Sequence, residues 1–189
     1  FGGTDTFLVQ SGHSMMTSQQ WTLNSGATLE ILNGGTLTAT YLVSSLGTFK
    51  VDNGGTYVHN APGSGSNGST TDFPVSTQTF GSSSTVTFQS WASGGTTPAA
   101  IPTGPYGNLT INIASLGGSI QMNGALTTTN GSFTVQSTGG QQFQLSATTG
   151  YTLTIGGDLN VSGGTLNLLT GIASGNGPAN INLGGNFNH

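Results

Sequence analysis

Charge is what this 189-residue chain most lacks. Lys50 is its sole basic residue, Arg does not occur, and the acids are Asp5, Glu30, Asp52, Asp72 and Asp158. Soluble domains carry about 25% charged residues; here the figure is 3%. Neutralising phosphates takes many Lys and Arg, so nucleic acid is excluded as a partner class. Attraction to an anionic membrane surface fails on the same ground. Cysteine is also absent, which excludes disulfides and Cys-ligated metals. No apolar run reaches the length of a transmembrane helix, so no membrane insertion is expected, and no signal peptide is visible. The chain starts at Phe1 without Met and stops inside a repeated phrase at His189, which reads as a piece of a longer or processed protein.

Helical periodicity is missing as well. No segment holds apolar residues at i, i+3, i+4 and i+7 over two turns, and Gly or Ser interrupts every stretch of ten. Gly, Ser, Thr, Asn and Gln dominate. Val, Ile, Leu and Phe nevertheless recur at spacing two, the pattern of strands with one face inward. Disordered chains are poor in such residues and rich in net charge, so the composition favours order.

The alternating runs repeat. ATLEILNGGTLTA (Ala27–Ala39) aligns with GTFKVDNGGTYVH (Gly47–His59) at an offset of 20, and FLVQSGHSM (Phe7–Met15) precedes it by 22. LTIGGDLNV (Leu153–Val161) returns 28 residues later as INLGGNFNH (Ile181–His189). IQMNGALTT (Ile120–Thr128) matches it 33 residues earlier, and TNGSFTVQ (Thr129–Gln136) matches SGGTLNLL (Ser162–Leu169) at the same 33. Fixed offsets mark units that stack because none can bury its apolar face alone. A hairpin meander explains Gly-Gly before a strand, but it gives no reason for position-by-position matches. Asn-Gly-Gly suits a corner, where φ > 0 is needed.

These observations predict an all-β fold, a right-handed parallel β-helix (β-solenoid) in one domain, 1–189. Short coils of about 20 residues occupy 1–60, Pro/Gly/Ser-rich loop insertions 61–105, and longer coils 106–189. Five of the six prolines, Pro62, Pro74, Pro98, Pro102 and Pro105, fall in the insertions. Six to eight coils at the strand spacing give a length of about 30–40 Å. The rows Ile120/Leu153/Ile181, Met122/Ile155/Leu183 and Leu126/Leu159/Phe187 are expected inside. The columns Ser119/Thr152/Asn180 and Gln121/Thr154/Asn182 are expected outside. Short neutral side chains tolerate stacking on themselves, where like charges repel. Glu30 is expected to face Lys50 across adjacent coils.

Catalytic chemistry finds little footing. Glycoside hydrolysis needs two carboxyls facing each other across a sugar. Glu30 and Asp52 are the closest acids, while Asp158 aligns with Ala125 and Asn186 and gathers no acids. His13, His59 and His189 show no metal-ligand spacing and read as surface or corner residues. No Gly-x-Ser-x-Gly elbow stands out. Gly156-Gly157-Asp158 holds only a fragment of the calcium-binding nonapeptide. No catalytic, cofactor or metal residue is assigned. A flat Thr array that binds ice is suggested by Thr36, Thr38 and Thr40, or by Thr152 and Thr154, but the columns drawn for the latter pair break the file. Among Trp21, Trp91, Tyr41, Tyr57 and Tyr106, Trp21 and Tyr57 read as core. Trp91, beside a Pro-rich excursion, is the better candidate for exposed contact with a sugar. Asn67, Asn108, Asn130 and Asn160 begin N-x-[ST] sequons of a kind that arise by chance in such a composition.

FGSSSTVTFQS (Phe80–Ser90) and IPTGPYGNLTI (Ile101–Ile111), followed by LTIGGDLNVSGGTLNL (Leu153–Leu168), resemble the repetitive β-solenoid regions of large secreted surface proteins of Bacteroidota. The likeness is clearest over Phe80–His189 and looser over Phe1–His59. It implies an extracellular or cell-surface location and an adhesin-like stalk or filament. Solenoid ends expose unpaired strand edges, so head-to-tail self-association into a fibre is expected. Surface glycans are the external partner to consider. The rival function is a carbohydrate-binding or polysaccharide-degrading β-helix.

Overall fold

The computed structural model describes residues 2–41, 43–45, 47–61, 73, 77–91, 104–122, 124–145, 150–168 and 179–189. Among them there is no helix, and every strand pairing is parallel. The strands stack as a β-solenoid. Its spine is one eight-stranded sheet, in the order Ser14–Thr17, Thr36–Ala39, Thr56–His59, Thr85–Phe88, Asn108–Ile113, Phe133–Thr138, Leu159–Val161 and Phe187–Asn188. Seven steps of about 4.8 Å make that sheet about 34 Å long. The hairpin alternative is not seen among the described residues.

Shorter sheets complete each coil. In the first half the chain enters the long sheet from a four-stranded one, Thr6–Val9, Thr28–Ile31, Thr48–Val51 and Thr77–Phe80. It leaves through the pair Trp21–Leu23 and Val43–Ser45. In the second half the entering sheet is Thr128–Thr129, Tyr151–Ile155 and Ala179–Leu183. The leaving sheet there is Ile120–Gln121, Gln142–Gln144 and Thr165–Asn167. The insertion residues 62–72, 74–76 and 92–103 lie outside the described residues, and with them Asn67, Asp72, Pro62, Pro74, Pro98 and Pro102.

The offsets of 20, 22 and 28 are true windings. Leu29 lies on Phe49 and Ile31 on Val51; Phe7 lies on Leu29; Leu153 lies on Ile181 and Ile155 on Leu183; Leu159 lies on Phe187. The repeated Asn-Gly-Gly makes the corner, where Gly34 and Gly54 have φ of 74° and 75°. The Gly34 N–H donates to the Gly54 carbonyl at 3.0 Å, tying one corner to the next.

The offset of 33 is corrected. Ile120 lies on Phe143, in a different sheet from Leu153. Phe133 lies on Leu159, and Leu166 on Phe143. The strand before Tyr151–Ile155 in its own stack is Thr128–Thr129, which meets Thr154–Ile155. The phrases resemble one another because every corner needs the same chemistry, two inward apolar residues and then Gly. Similarity of corners is not stacking of corners. The outward columns change accordingly: Thr152/Asn180 and Thr154/Asn182 stand, but Gln121 faces Gln144 and Thr154 faces Thr128. Ile120, Met122 and Leu126 are still fully buried.

The core is a set of rows. Leu37, Tyr57, Val86, Leu109 and Phe133 stack in successive strands of the long sheet, each with no exposed surface. Fully burying one such aliphatic or Phe side chain contributes about 1.5–3 kcal/mol. Phe73, at the end of the first insertion, returns to this core. Its ring meets Tyr57 edge-on at 5.4 Å and stacks on Phe88 at 5.5 Å.

Candidate functional site

Three of the charged residues meet at one place. Glu30 and Lys50 are direct cross-strand partners on adjacent coils, pointing outward as the sequence predicts. Lys50 Nζ also donates to Asp52 Oδ1 at 2.8 Å, so one ammonium bridges two carboxylates. Hydrogen bonds to Asp52 first and Glu30 second hold Lys50 above the ordinary lysine range. The two acids that stand closest in the sequence pattern therefore share one ammonium. Asp158 serves a corner: its Oδ1 accepts the Asn186 N–H at 2.7 Å. Its own N–H donates to Ser132 Oγ at 3.1 Å, and the Ser132 N–H donates to Asn108 Oδ1 at 2.9 Å. These four residues form one side-chain-to-backbone ladder, which spends Asp158 on backbone satisfaction. Among the described residues no three His, Asp or Glu side chains cluster.

Two expectations about exposed residues are corrected. His59 is buried, with 3% exposure, its Nδ1 3.1 Å from the Tyr57 hydroxyl. Burial lowers its pKa to about 4. The offset of 20 places His59 on inward Ala39, so the signal was present in the repeat. Trp91 is buried too, its ring 5.1 Å from Phe88. Tyr57 and Tyr106 have no exposed surface, and Trp21 is half-buried edge-on to Phe7 at 5.2 Å. Tyr41 is exposed. His13 and His189 are exposed as expected.

The long sheet shows two ordered outward files. One runs Thr36, Thr56, Thr85, Asn108 and Ser132. The other, two residues along each strand, runs Thr38, Val58, Thr87, Thr110 and Thr134. The files lie about 6.6 Å apart, and members of a file about 4.8 Å apart. The two ends of this face use their polar groups differently. Toward the C-terminal end, Asn188 Nδ2 donates to Asn160 Oδ1 at 2.7 Å, and Asn160 Nδ2 reaches Thr134 Oγ1 at 3.4 Å. The hydroxyls of Thr36, Thr38, Thr56, Thr85, Thr87 and Thr110 make no hydrogen bond among the described residues. All six side chains are half-buried by their neighbours in the stack. A third file of four, Thr6, Thr28, Thr48 and Thr77, crosses the neighbouring sheet. Continuous Thr files do form, at positions that sequence reasoning considered only for Thr36 and Thr38.

The last described coil leaves its apolar rows open. Phe187 is 60% exposed, and with Leu159, Leu166, Leu168 and Ile181 it lines a shallow cavity of about 310 Å³. At the other end Met15, Phe7 and Trp21 pack against the core while remaining half-exposed. The inward rows are therefore apolar at both ends. Comparison with protein-family models, with curated proteins and with solved structures finds no match for this chain.

Proposed function

We propose that this chain is a non-enzymatic extracellular structural element, a stalk or filament segment with an adhesin-like role that associates head to tail through its solenoid ends. The observation that carries this reading is a parallel stack eight strands long, in which each strand edge is met in register by the strand of the next coil. A further coil laid on that edge continues the ladder without new chemistry, and a contact that does not close on itself propagates. In a second copy, Met15 on the first strand of the long sheet would follow Phe187 in the same inward row. A neutral surface of stacked hydroxyls and amides suits a long assembly, since it places no like charges over one another. The cell-surface location rests on the resemblance of Phe80–Ser90 and Leu153–Leu168 to secreted solenoids.

Burial of Trp91, Tyr57 and Tyr106 counts against the sugar-binding rival, which keeps only exposed Tyr41 and half-buried Trp21. The test is electron microscopy with sedimentation over a wide range of concentrations. Fibres or end-to-end oligomers are expected, and Phe187→Asp is expected to shorten them. A native chain that stays monomeric at the highest concentration would end the filament reading.

A further inference from the structure

We propose that the outward hydroxyl face of the long sheet is an ice-binding surface. This rests on the adhesive reading above and names the face and the solid it adheres to. Three observations carry it. First, Thr36, Thr56 and Thr85 in one file, and Thr87, Thr110 and Thr134 in the other, are held in register by backbone pairing. Their lattice is set by the sheet, about 4.8 Å by about 6.6 Å. β-Branching restricts χ1, so little side-chain entropy is lost when the face is ordered against a solid. Second, these hydroxyls are unspent. The amides toward the C-terminal end satisfy one another through Asn160 and Asn188, whereas five of these six hydroxyls have no partner among the described residues. The Thr134 hydroxyl receives only a long contact, 3.4 Å from Asn160 Nδ2, and keeps its proton to donate.

Third, the partner must match this face in charge and in hydrogen-bond type. No charged residue lies in the two files from Thr36 to Ser132 and from Thr38 to Thr134. A charged mineral or an anionic polymer therefore gains nothing here. A hydroxyl both donates and accepts, as each surface water of ice does. A crystalline polysaccharide is also neutral and periodic, but no aromatic ring lies in either file to stack on sugar rings. A periodic neutral lattice of water remains as the solid that fits.

The experiment grows an ice front slowly through a solution of the fluorescently labelled full chain and measures its enrichment in the ice over an inert labelled protein. The native chain is expected to be enriched several-fold. Thr87→Lys/Thr110→Lys, with cations standing out of the face, is expected to fall to the level of the inert control. Thr87→Tyr/Thr110→Tyr, built from strong strand formers, is expected to do the same, so a folding defect in one pair does not decide the result. Thr152→Lys, on the exposed face of a different sheet, is expected to keep the native value. Exclusion of the native chain from ice overturns the inference, and so does enrichment that survives both face variants. Excluded protein that instead coats crystalline cellulose overturns the ice assignment and leaves the adhesive reading standing. Excluded protein that coats no solid removes both.

Discussion

The Tyr57 hydroxyl and His59 Nδ1 lie 3.1 Å apart on the inward face of one strand, both side chains out of reach of bulk water. Around the imidazole pack Phe73 and Phe88, with ring centroids at 5.5 Å. No carboxylate among the described residues faces it. A proton on this ring finds neither water nor a counter-charge, and for that reason burial lowers the pKa from 6.5 to about 4.

The pH dependence follows with a definite sign. Between about pH 6.5 and 4 the unfolded chain binds the proton and the folded chain does not. Stability therefore falls as pH drops through that window, by about 3 kcal/mol in all. Urea titrations from pH 7 to 4 are expected to show this loss. His59→Phe, which keeps a ring against Phe73 and Phe88, is expected to flatten that part of the curve. It costs about 1 kcal/mol at pH 7, because the Tyr57 hydroxyl loses its partner. An unchanged pH slope in the variant would show that other groups set it.

A row residue tests the stacking itself. Phe133 lies between Leu109 and Leu159 with no exposed surface, its ring 5.8 Å from Phe143. Phe133→Ala is expected to lose about 3–5 kcal/mol, the transfer and cavity cost of a core aromatic. Thr134→Ala, one position along and outward, is expected to change stability by less than about 0.5 kcal/mol. Denaturant midpoints for the two variants separate the faces. Equal effects would mean that the inward and outward assignments of this strand are wrong.

The parts of the fold legible in the sequence were those where two neighbouring coils have nearly the same length and the same corner. Asn33-Gly34-Gly35 and Asn53-Gly54-Gly55 are such a pair, and their register follows from the match alone. Glu30 over Lys50 came from the same offset. The match failed between Ile120 and Leu153 because different corners share a phrase. Apolar–x–apolar–x–Gly marks a turn wherever it falls, and says nothing about which turn lies above which. His59 and Trp91 were misplaced for another reason. Their residue types read as exposed, whereas alternation with Tyr57 puts His59 inside. The free hydroxyl files were hidden because they depend on windings of 29 and 23 residues around the insertions, from Thr56 to Thr85 to Asn108, which no repeated phrase announces.

Glycine at Gly107 answers to crowding rather than to φ. A Cβ there would overlap the carbonyl oxygens of Ser84 and Gly81 on the neighbouring coil and lie 2.6 Å from the Ser84 nitrogen. Those are backbone atoms fixed by the ladder, so nothing nearby yields cheaply. Gly12 is the opposite case, with φ of 74° and open space around the added carbon. Gly12→Ala is expected to cost about 1–2 kcal/mol, the left-handed strain alone. Gly107→Ala is expected to cost more, because coils must separate to admit the methyl group. Gly12→Asn is expected to recover part of the loss, while Gly107→Asn does not. Thermal midpoints of the four variants give the comparison, and recovery at position 107 would remove the close-approach argument.

Lys50 is the one cation of the chain, and it stands between Glu30 and Asp52. Without it, two carboxylates face each other with no neutralising charge among the described residues. Lys50→Gln keeps the length and a donor but removes the charge. The variant is expected to unfold at a lower temperature than the native chain in low salt, and the difference is expected to shrink as salt is added, since these groups are exposed enough to be screened. Lys50→Gln combined with Glu30→Gln leaves Asp52 alone and is expected to recover most of the loss. A gap that stayed constant from low to high ionic strength would mean that packing of the lysine stem over the sheet, and not its charge, is what this position contributes.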